Sequence, residues 1–319
     1  MSTPLLFIST VLIWGSTFLV ITFQLGEVAP AVSVVYRFGI GTLILFAWSI
    51  WRGQTLWVGW RRQPWLIMQG VLNFGLSYLC TYTAEGYLVS AMVAVLFALM
   101  VFWNALGARL FFGSRITWHT VCASAVSVTG VALLFSHSLD GAWHPKPGSS
   151  NAGFFVGLLL AVAATLFASA GNMVAVQVGR IHRNSVLVTT AWAMFWGMLS
   201  VALYVLATGQ AWSLPSRPVY WLSMLYLALF GSVIAFTSYF TLINRIGPGK
   251  AAYTGVLTPV VSVLLSMRFE GYQPGAVGLF GMALCLAGVL WAVRGKGAPA
   301  RVDAKVTPAE LHPATGDHA

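Results

Sequence analysis

The sequence carries very little charge. Only 8% of its 319 residues are Asp, Glu, Lys or Arg, against about 25% in a soluble domain. Such a chain lacks the polar groups to cover a water-facing surface. Acids are scarcest of all: there are seven, and Glu27 and Glu85 are the only two in the first hundred and thirty residues. No HExxH, no GxSxG and no paired acids within an apolar run occur. Hydrolytic or metal-assisted catalysis has no residues to work with, and an enzyme is not expected. His119, His137, His144 and His182 lie scattered at run ends or in gaps. Cys80, Cys122 and Cys285 each sit in a separate apolar run, so no disulfide framework or thiolate metal site is expected, and they read as small packing residues. No cofactor is expected. The first apolar run has no basic n-region and no clear cleavage site, so it reads as a retained helix.

What is abundant is apolar surface. The chain is 58% hydrophobic, and runs near the roughly 20 residues that cross a bilayer fill almost all of it. This is the composition of an integral membrane protein. Its 14 Trp and 10 Tyr suit interfacial belts. The net charge of +10 does not point to nucleic acid, because the basic residues occupy short gaps between apolar runs and form no soluble face. The expected partners are the lipid bilayer and a small-molecule solute.

Ten helical spans are expected, at about 4–24, 32–51, 65–84, 87–111, 118–136, 153–177, 185–208, 218–243, 250–268 and 275–294. The breakers fall between them: Gly26 to Pro30, Arg52 to Pro64, and RIGPGK at Arg245–Lys250. The longest internal gap, 137–152, separates a first five-helix unit, 1–136, from a second, 153–294. Beyond 294 the tail is polar and rich in Pro and Ala, and disorder is expected over 295–319. With the N-terminus in the cytoplasm, thirteen of the 17 Lys and Arg fall in cytoplasmic gaps or the tail. Lys146, Arg217 and Arg268 fall opposite, and Arg37 lies within the second span. The bias places both termini in the cytoplasm of a plasma (inner) membrane protein, and Glu85 on the outer side, in a turn.

The two units echo each other at an offset of 158. Thr83 meets Thr241, Leu99 meets Leu257, Phe111 meets Phe269, Gly113 meets Gly271, and Gly130-Val131 meets Gly288-Val289. Tyr78 and Tyr82 meet Phe236 and Phe240. Five spans is an odd number, so the second copy is inverted in the membrane. The expected fold is all-α and membrane-integral: ten transmembrane helices as two inverted five-helix repeats, with a solute site near the midplane between the copies.

Four stretches resemble the EamA-type family of the drug/metabolite transporter superfamily. They are STVLIWGSTFLVI in the first span, YRF (Tyr36-Arg37-Phe38) in the second, ARLFFGSRIT closing the fourth and LTPVVSVLLSMRFEGYQP in the ninth. The likeness covers residues 5–294. It departs at Ser114 and Tyr272, where the family usually has glutamates, at Glu270, two positions early, at Val101, where a proline is common, and at Thr258, where a glutamate is usual. Without Pro at 101, the fourth helix is expected to be straighter than the ninth, which keeps Pro259. The resemblance implies alternating access and export of small metabolites, most often amino acids or related compounds. Alternatives are a multidrug or other solute carrier of the same fold, or a non-transporting membrane assembly subunit.

Polar groups inside apolar runs are the site candidates, since a bilayer penalises them unless they work or pair. Trp14 and Ser16 flank Gly15 in the first span and form either a polar notch or a packing contact. Asn73, Tyr78 and Tyr82 mark one span, with the two tyrosines on one helix face. Trp103 and Asn104 sit in mid-span, and Asn172 is a second mid-span amide. These eight are the expected substrate-binding residues. Arg37, Glu85 and Pro259 are the expected gating or ion-pair group. Arg37 either snorkels outward or pairs with Glu27 or Glu85. Glu85 reads as an interfacial acid solvated at its turn, and Pro259 as a hinge or a tolerated kink.

Overall fold

The computed structural model describes residues 1–113, 117–134, 136, 152–181, 185–251 and 253–294. Among them there is no strand. Helix α1 is Thr3–Thr22 and α2 is Pro30–Trp51. Helix α3 runs over 63–85 in three pieces: Gln63–Gly70, a π-helical stretch Val71–Leu76, and Ser77–Glu85. Helix α4 comprises Ser90–Phe97 and Met100–Phe112. Then come α5 (Trp118–Leu134), α6 (Ala152–Ile181) and α7 (Val186–Ala207). Helix α8 covers 218–251 as Pro218–Tyr226, a π-helical stretch Leu227–Ile234, and Ala235–Ala251. Helices α9 (Tyr253–Phe269) and α10 (Ala276–Arg294) complete the chain.

The sequence explains the boundaries. Prolines stand in the first turns of α1, α2, α3 and α8, where a missing N–H costs nothing and the fixed φ suits the helix. Helices α4 and α9 both stop at a left-handed glycine, Gly113 (φ 67°) and Gly271 (φ 66°), a conformation open to glycine because it has no Cβ.

Among the described residues six helices are long and apolar enough to cross a membrane: Thr3–Thr22, Pro30–Trp51, Ser90–Phe111, Ala152–Gly179, Val186–Ala207 and Pro218–Ile243. Shorter apolar helices lie at Val121–Leu134, Leu257–Phe269 and Ala276–Trp291. Large apolar side chains such as Leu43, Leu110, Leu159, Leu264 and Phe280 point outward, while Thr10, Arg37, Ser49, Ser90 and Thr165 are fully buried. This inverts the pattern of a water-soluble domain and fits a hydrocarbon surround.

Small residues set the helix contacts. A Cβ on Gly130 of α5 would stand 2.5 Å from the Gly281 carbonyl oxygen and 2.8 Å from Cys285 Cα of α10. A Cβ on Gly288 of α10 would stand 2.8 Å from the Ala123 carbonyl oxygen and 2.7 Å from the Ser127 nitrogen of α5. Ser127 Oγ donates to the Cys285 carbonyl at 2.9 Å. Each helix therefore offers the other a bare backbone strip.

Three features differ from expectation. The α4 helix is the interrupted one: tight turn bonds from the Ala98 and Leu99 amides to the Val95 and Leu96 carbonyls break it at 98–99. Helix α9 continues unbroken through Pro259, so the absence of proline at 101 did not straighten α4. Helix α8 runs through RIGPGK to Ala251 instead of ending there. The two π-helical stretches have no sequence signature. Shifting Val71–Leu76 by 158 residues gives 229–234, inside the second stretch. Ser114, the tail 295–319 and all of the 137–152 linker except Ala152 lie outside the described residues.

Candidate functional site

A cavity of about 100 Å³ lies between the helices. Its wall comes from α1 (Trp14, Thr17, Phe18, Ile21), α3 (Asn73, Ser77, Tyr78, Thr81) and α4 (Ala94, Phe97, Met100, Val101, Asn104). Helices α6 (Ala168, Asn172), α8 (Phe236, Tyr239) and α9 (Thr254, Gly255, Thr258, Pro259) supply the rest. Helices α2, α5, α7 and α10 contribute no wall residue.

Polar groups punctuate a mostly apolar surface. Asn73 Nδ2 donates to Asn172 Oδ1 at 3.4 Å, and Asn172 Nδ2 points to Met100 Sδ at 3.6 Å. Asn104 Oδ1 accepts from Ser169 Oγ at 2.8 Å. Three amides from α3, α4 and α6 thus converge on one cavity. Asn73 stands in the π-helical stretch of α3, and Gly171 of α6 leaves room for its amide. Extra residues in a helix turn of this kind often mark functional positions. Trp14 packs edge-on against Phe236 (5.2 Å between centroids) and tilts against Tyr239 (4.9 Å). Its buried Nε1 has no hydrogen-bond partner, so it is a donor left over in the wall.

Behind Tyr78 lies a buried cationic network. Arg37 of α2 is fully buried. Its Nε donates to Ser232 Oγ at 2.9 Å and its Nη1 to Tyr82 Oη at 3.3 Å. Tyr82 in turn donates to Gln24 Oε1 at 3.1 Å. The guanidinium carbon sits 4.7 Å from the Tyr78 ring centroid, a cation–π distance. Ser232 lies in the π-helical stretch of α8 and bonds back to the Leu227 carbonyl, five residues earlier.

At the outer end expected from the charge bias, Glu270 accepts hydrogen bonds from Ser90 Oγ, at the start of α4, and from Ser266 Oγ on α9. One carboxylate therefore ties α4 to α9. Beside it, Glu85 is the last residue of α3. It is 5% exposed, and neither of its carboxyl oxygens has a hydrogen-bond partner.

The candidates therefore divide. Trp14, Asn73, Tyr78, Asn104, Asn172 and Pro259 stand in one cavity wall. Ser16, Tyr82 and Trp103 do not. Ser16 Oγ bonds back to the Ile13 carbonyl and to Tyr226 Oη at 2.7 Å, which fastens α1 to α8. Neighbouring Gly15 admits Val261 of α9, so the notch is a packing contact. Tyr82 is turned away by its bonds to Arg37 and Gln24, so the two tyrosines of α3 do not serve one surface. Trp103 Nε1 donates to Thr165 Oγ1 at 3.0 Å and bridges α4 to α6. Arg37 neither snorkels nor pairs with an acid, because Ser232, Tyr82 and the aromatic rings hold it inside. Glu27 pairs with Arg217 instead, at 3.1 Å. Glu85 is not solvated at its turn: Gly86 to Val89 fold straight back into α4, and buried Ala84 and Leu88 cover the helix end. Gln24 and Ser232 had no sequence signal, since an isolated Gln or Ser in an apolar run is unremarkable without its partner.

A family model described as the EamA-like transporter family matches residues 1–136 and again 155–294. The chain belongs to this family. Several of its relatives are named as transporters. It is 26% identical over 261 residues to Protein PecM of Dickeya dadantii, covering 81% of this chain and 80% of that one. It is 24% identical to an uncharacterized inner membrane transporter, YedA, of Escherichia coli K12, over 89% of this chain and 88% of that one. A probable terminal-alkyne amino-acid exporter of Streptantibioticus cattleyicolor is 25% identical over 72% of this chain and 73% of its own. A solved crystal structure superposes with a TM-score of 0.65 at 20% identity, over 91% of this chain and 96% of the other, a likeness of fold alone.

Proposed function

We propose that this EamA-family protein is an inner-membrane secondary transporter that exports small metabolites, amino acids or related compounds, by alternating access. The observation that carries the proposal is the composition of the cavity wall. It draws on α1, α3 and α4 and on α6, α8 and α9, which are equivalent helices of the two halves if the chain is two five-helix repeats, 1–136 and 153–294. A solute held there touches both halves, so rocking one against the other carries it across. The inverted-repeat reading is supported by the paired π-helical stretches, by the paired helix stops at Gly113 and Gly271, and by the α5–α10 contact. In that contact Gly130 meets 281 and 285 while Gly288 meets 123 and 127, the reciprocal pattern of a two-fold axis.

The amides of Asn73, Asn104 and Asn172, with the Trp14 donor, suit the polar head of an amino acid, and the aromatic walls suit an apolar side chain. Pro259, in the wall of α9, frees a backbone carbonyl at the point where one half would flex. Glu270 with Ser90 and Ser266 forms an outer latch, and the distribution of the basic residues supports a cytoplasmic side for both termini. The homology to a probable amino-acid exporter supports the substrate class. Cells overproducing the chain and preloaded with labelled L-leucine should release it faster than cells overproducing an Asn73→Ala, Asn172→Ala variant at equal membrane level. Equal release overturns the proposal.

A further inference from the structure

The buried guanidinium of Arg37 has one nitrogen to spare. Nε is bonded to Ser232 and Nη1 to Tyr82, but Nη2 is buried and has no hydrogen-bond partner. No carboxylate lies within ion-pair distance of it: among the described residues the one ion pair is Arg217 with Glu27. A guanidinium shut away from water with an unused donor is costly, and an intramembrane ion of this kind is retained where it meets a partner of opposite charge. The position of Nη2 says where that partner would come from. Nη2 stands 2.9 Å from the point a Cβ on Gly231 would occupy, and Thr17 Cγ2 stands 2.8 Å from the same point. Thr17 lines the cavity, and so does Tyr78, whose ring covers the other side of the guanidinium. The free nitrogen is thus one side-chain layer behind the cavity wall, packed against Gly231 where a Cβ would not fit.

We propose that Arg37 is the anchor for the carboxylate of the transported solute, reached when Tyr78 moves aside. This rests on the amino-acid reading of the cavity and sharpens it: the ligand must carry a free carboxylate. The cavity amides would hold the ammonium and backbone end, and the carboxylate would take Nη2 in a charge-assisted bond, the strong class of hydrogen bond.

The test compares two probes that differ at one group, L-leucine and L-leucinamide. Binding of labelled L-leucine to the purified full chain in nanodiscs is measured with each unlabelled compound as competitor. Wild type is expected to prefer leucine by about tenfold or more, the range for one charge-assisted bond. In Arg37→Gln that preference should fall to near unity. Arg37→Lys, which keeps the charge but loses the fork, should retain part of it, and it serves as the reference if Arg37→Gln does not fold. Gly231→Ala, whose Cβ would crowd Nη2, should lower leucine binding and leave leucinamide binding unchanged. Equal binding of leucine and leucinamide by wild type, or an undiminished preference in the Arg37 variants, overturns the inference and leaves the amino-acid reading standing. If wild type binds neither compound, both fall.

Discussion

Gly171→Ala tests the cavity amides through the packing that positions them. A Cβ at 171 would stand 2.5 Å from Asn73 Cγ, 2.7 Å from Oδ1 and 2.9 Å from Nδ2. Helix α3 cannot retreat as a body, because Ser77 Oγ, one turn on, is tied to the Ala164 carbonyl of α6 at 2.9 Å. The amide itself must therefore move. A forced departure of about 30° from its rotamer costs about 0.5–1.5 kcal/mol, and loss of the bond to Asn172 costs about 0.5–1.5 kcal/mol more. A stability loss of about 1–3 kcal/mol should appear in thermal unfolding of the purified chain. With Asn73 turned away from the solute, leucine binding should weaken by a factor of about 2 to 12, the equivalent of one neutral hydrogen bond. Gly275→Ala, where a Cβ would meet nothing within 4 Å, is the control. Unchanged leucine binding in Gly171→Ala, with unfolding shifted as expected, would show that Asn73 does not hold the solute.

The outer latch predicts that Glu270→Gln opens the cavity toward the outside. An Ala94→Cys reporter in a background without native cysteines should then react severalfold faster with an impermeant maleimide added outside, and an unchanged rate would remove the latch. Gly130→Ala places a methyl against the backbone of α10 at less than van der Waals distance. It should cost about 1–3 kcal/mol, as overpacking does, with a matching loss in Gly288→Ala; unequal losses in thermal unfolding would count against a reciprocal contact. Trp103→Phe removes the bond to Thr165 and should cost about 0.5–1.5 kcal/mol of stability without changing leucine binding. A fall in binding at unchanged stability would return Trp103 to the site.

Much of this architecture was legible in the residues. Apolar run lengths and Pro and Gly placement located most of the helices to within a few residues, because those signals are local, but α8 overran its expected end at 243 to reach Ala251. The proposed repeat at an offset of 158 rests on residues visible in the sequence, Gly113 with Gly271 and Gly130 with Gly288. The π-helical stretches were not. They arise from how α3 and α8 pack, and nothing in VLNFGL or LALFGSVI distinguishes them from ordinary helix. The interruption of α4 has no signal for a related reason: the break at 98–99 falls in an apolar stretch, AL, with neither proline nor another breaking residue. Of the polar candidates, the asparagines stand in the cavity wall, and the sequence left open whether such an amide meets a solute or bridges helices. Tyr82, Ser16 and Trp103 were harder, since a hydroxyl or indole serves a neighbouring helix as readily as a solute, and only the partners Gln24, Tyr226 and Thr165 reveal which. Glu85 is the clearest case. Its place at a helix end suggested water, and the tight return of the chain into α4 removed it.

Transport itself is the direct test. Purified chain reconstituted into liposomes loaded with unlabelled L-leucine should accumulate labelled L-leucine from outside by counterflow, above protein-free liposomes, and Asn73→Ala with Asn172→Ala should abolish the excess. No counterflow of leucine, or of any amino acid in a labelled panel, by a chain shown to be folded would contradict the account.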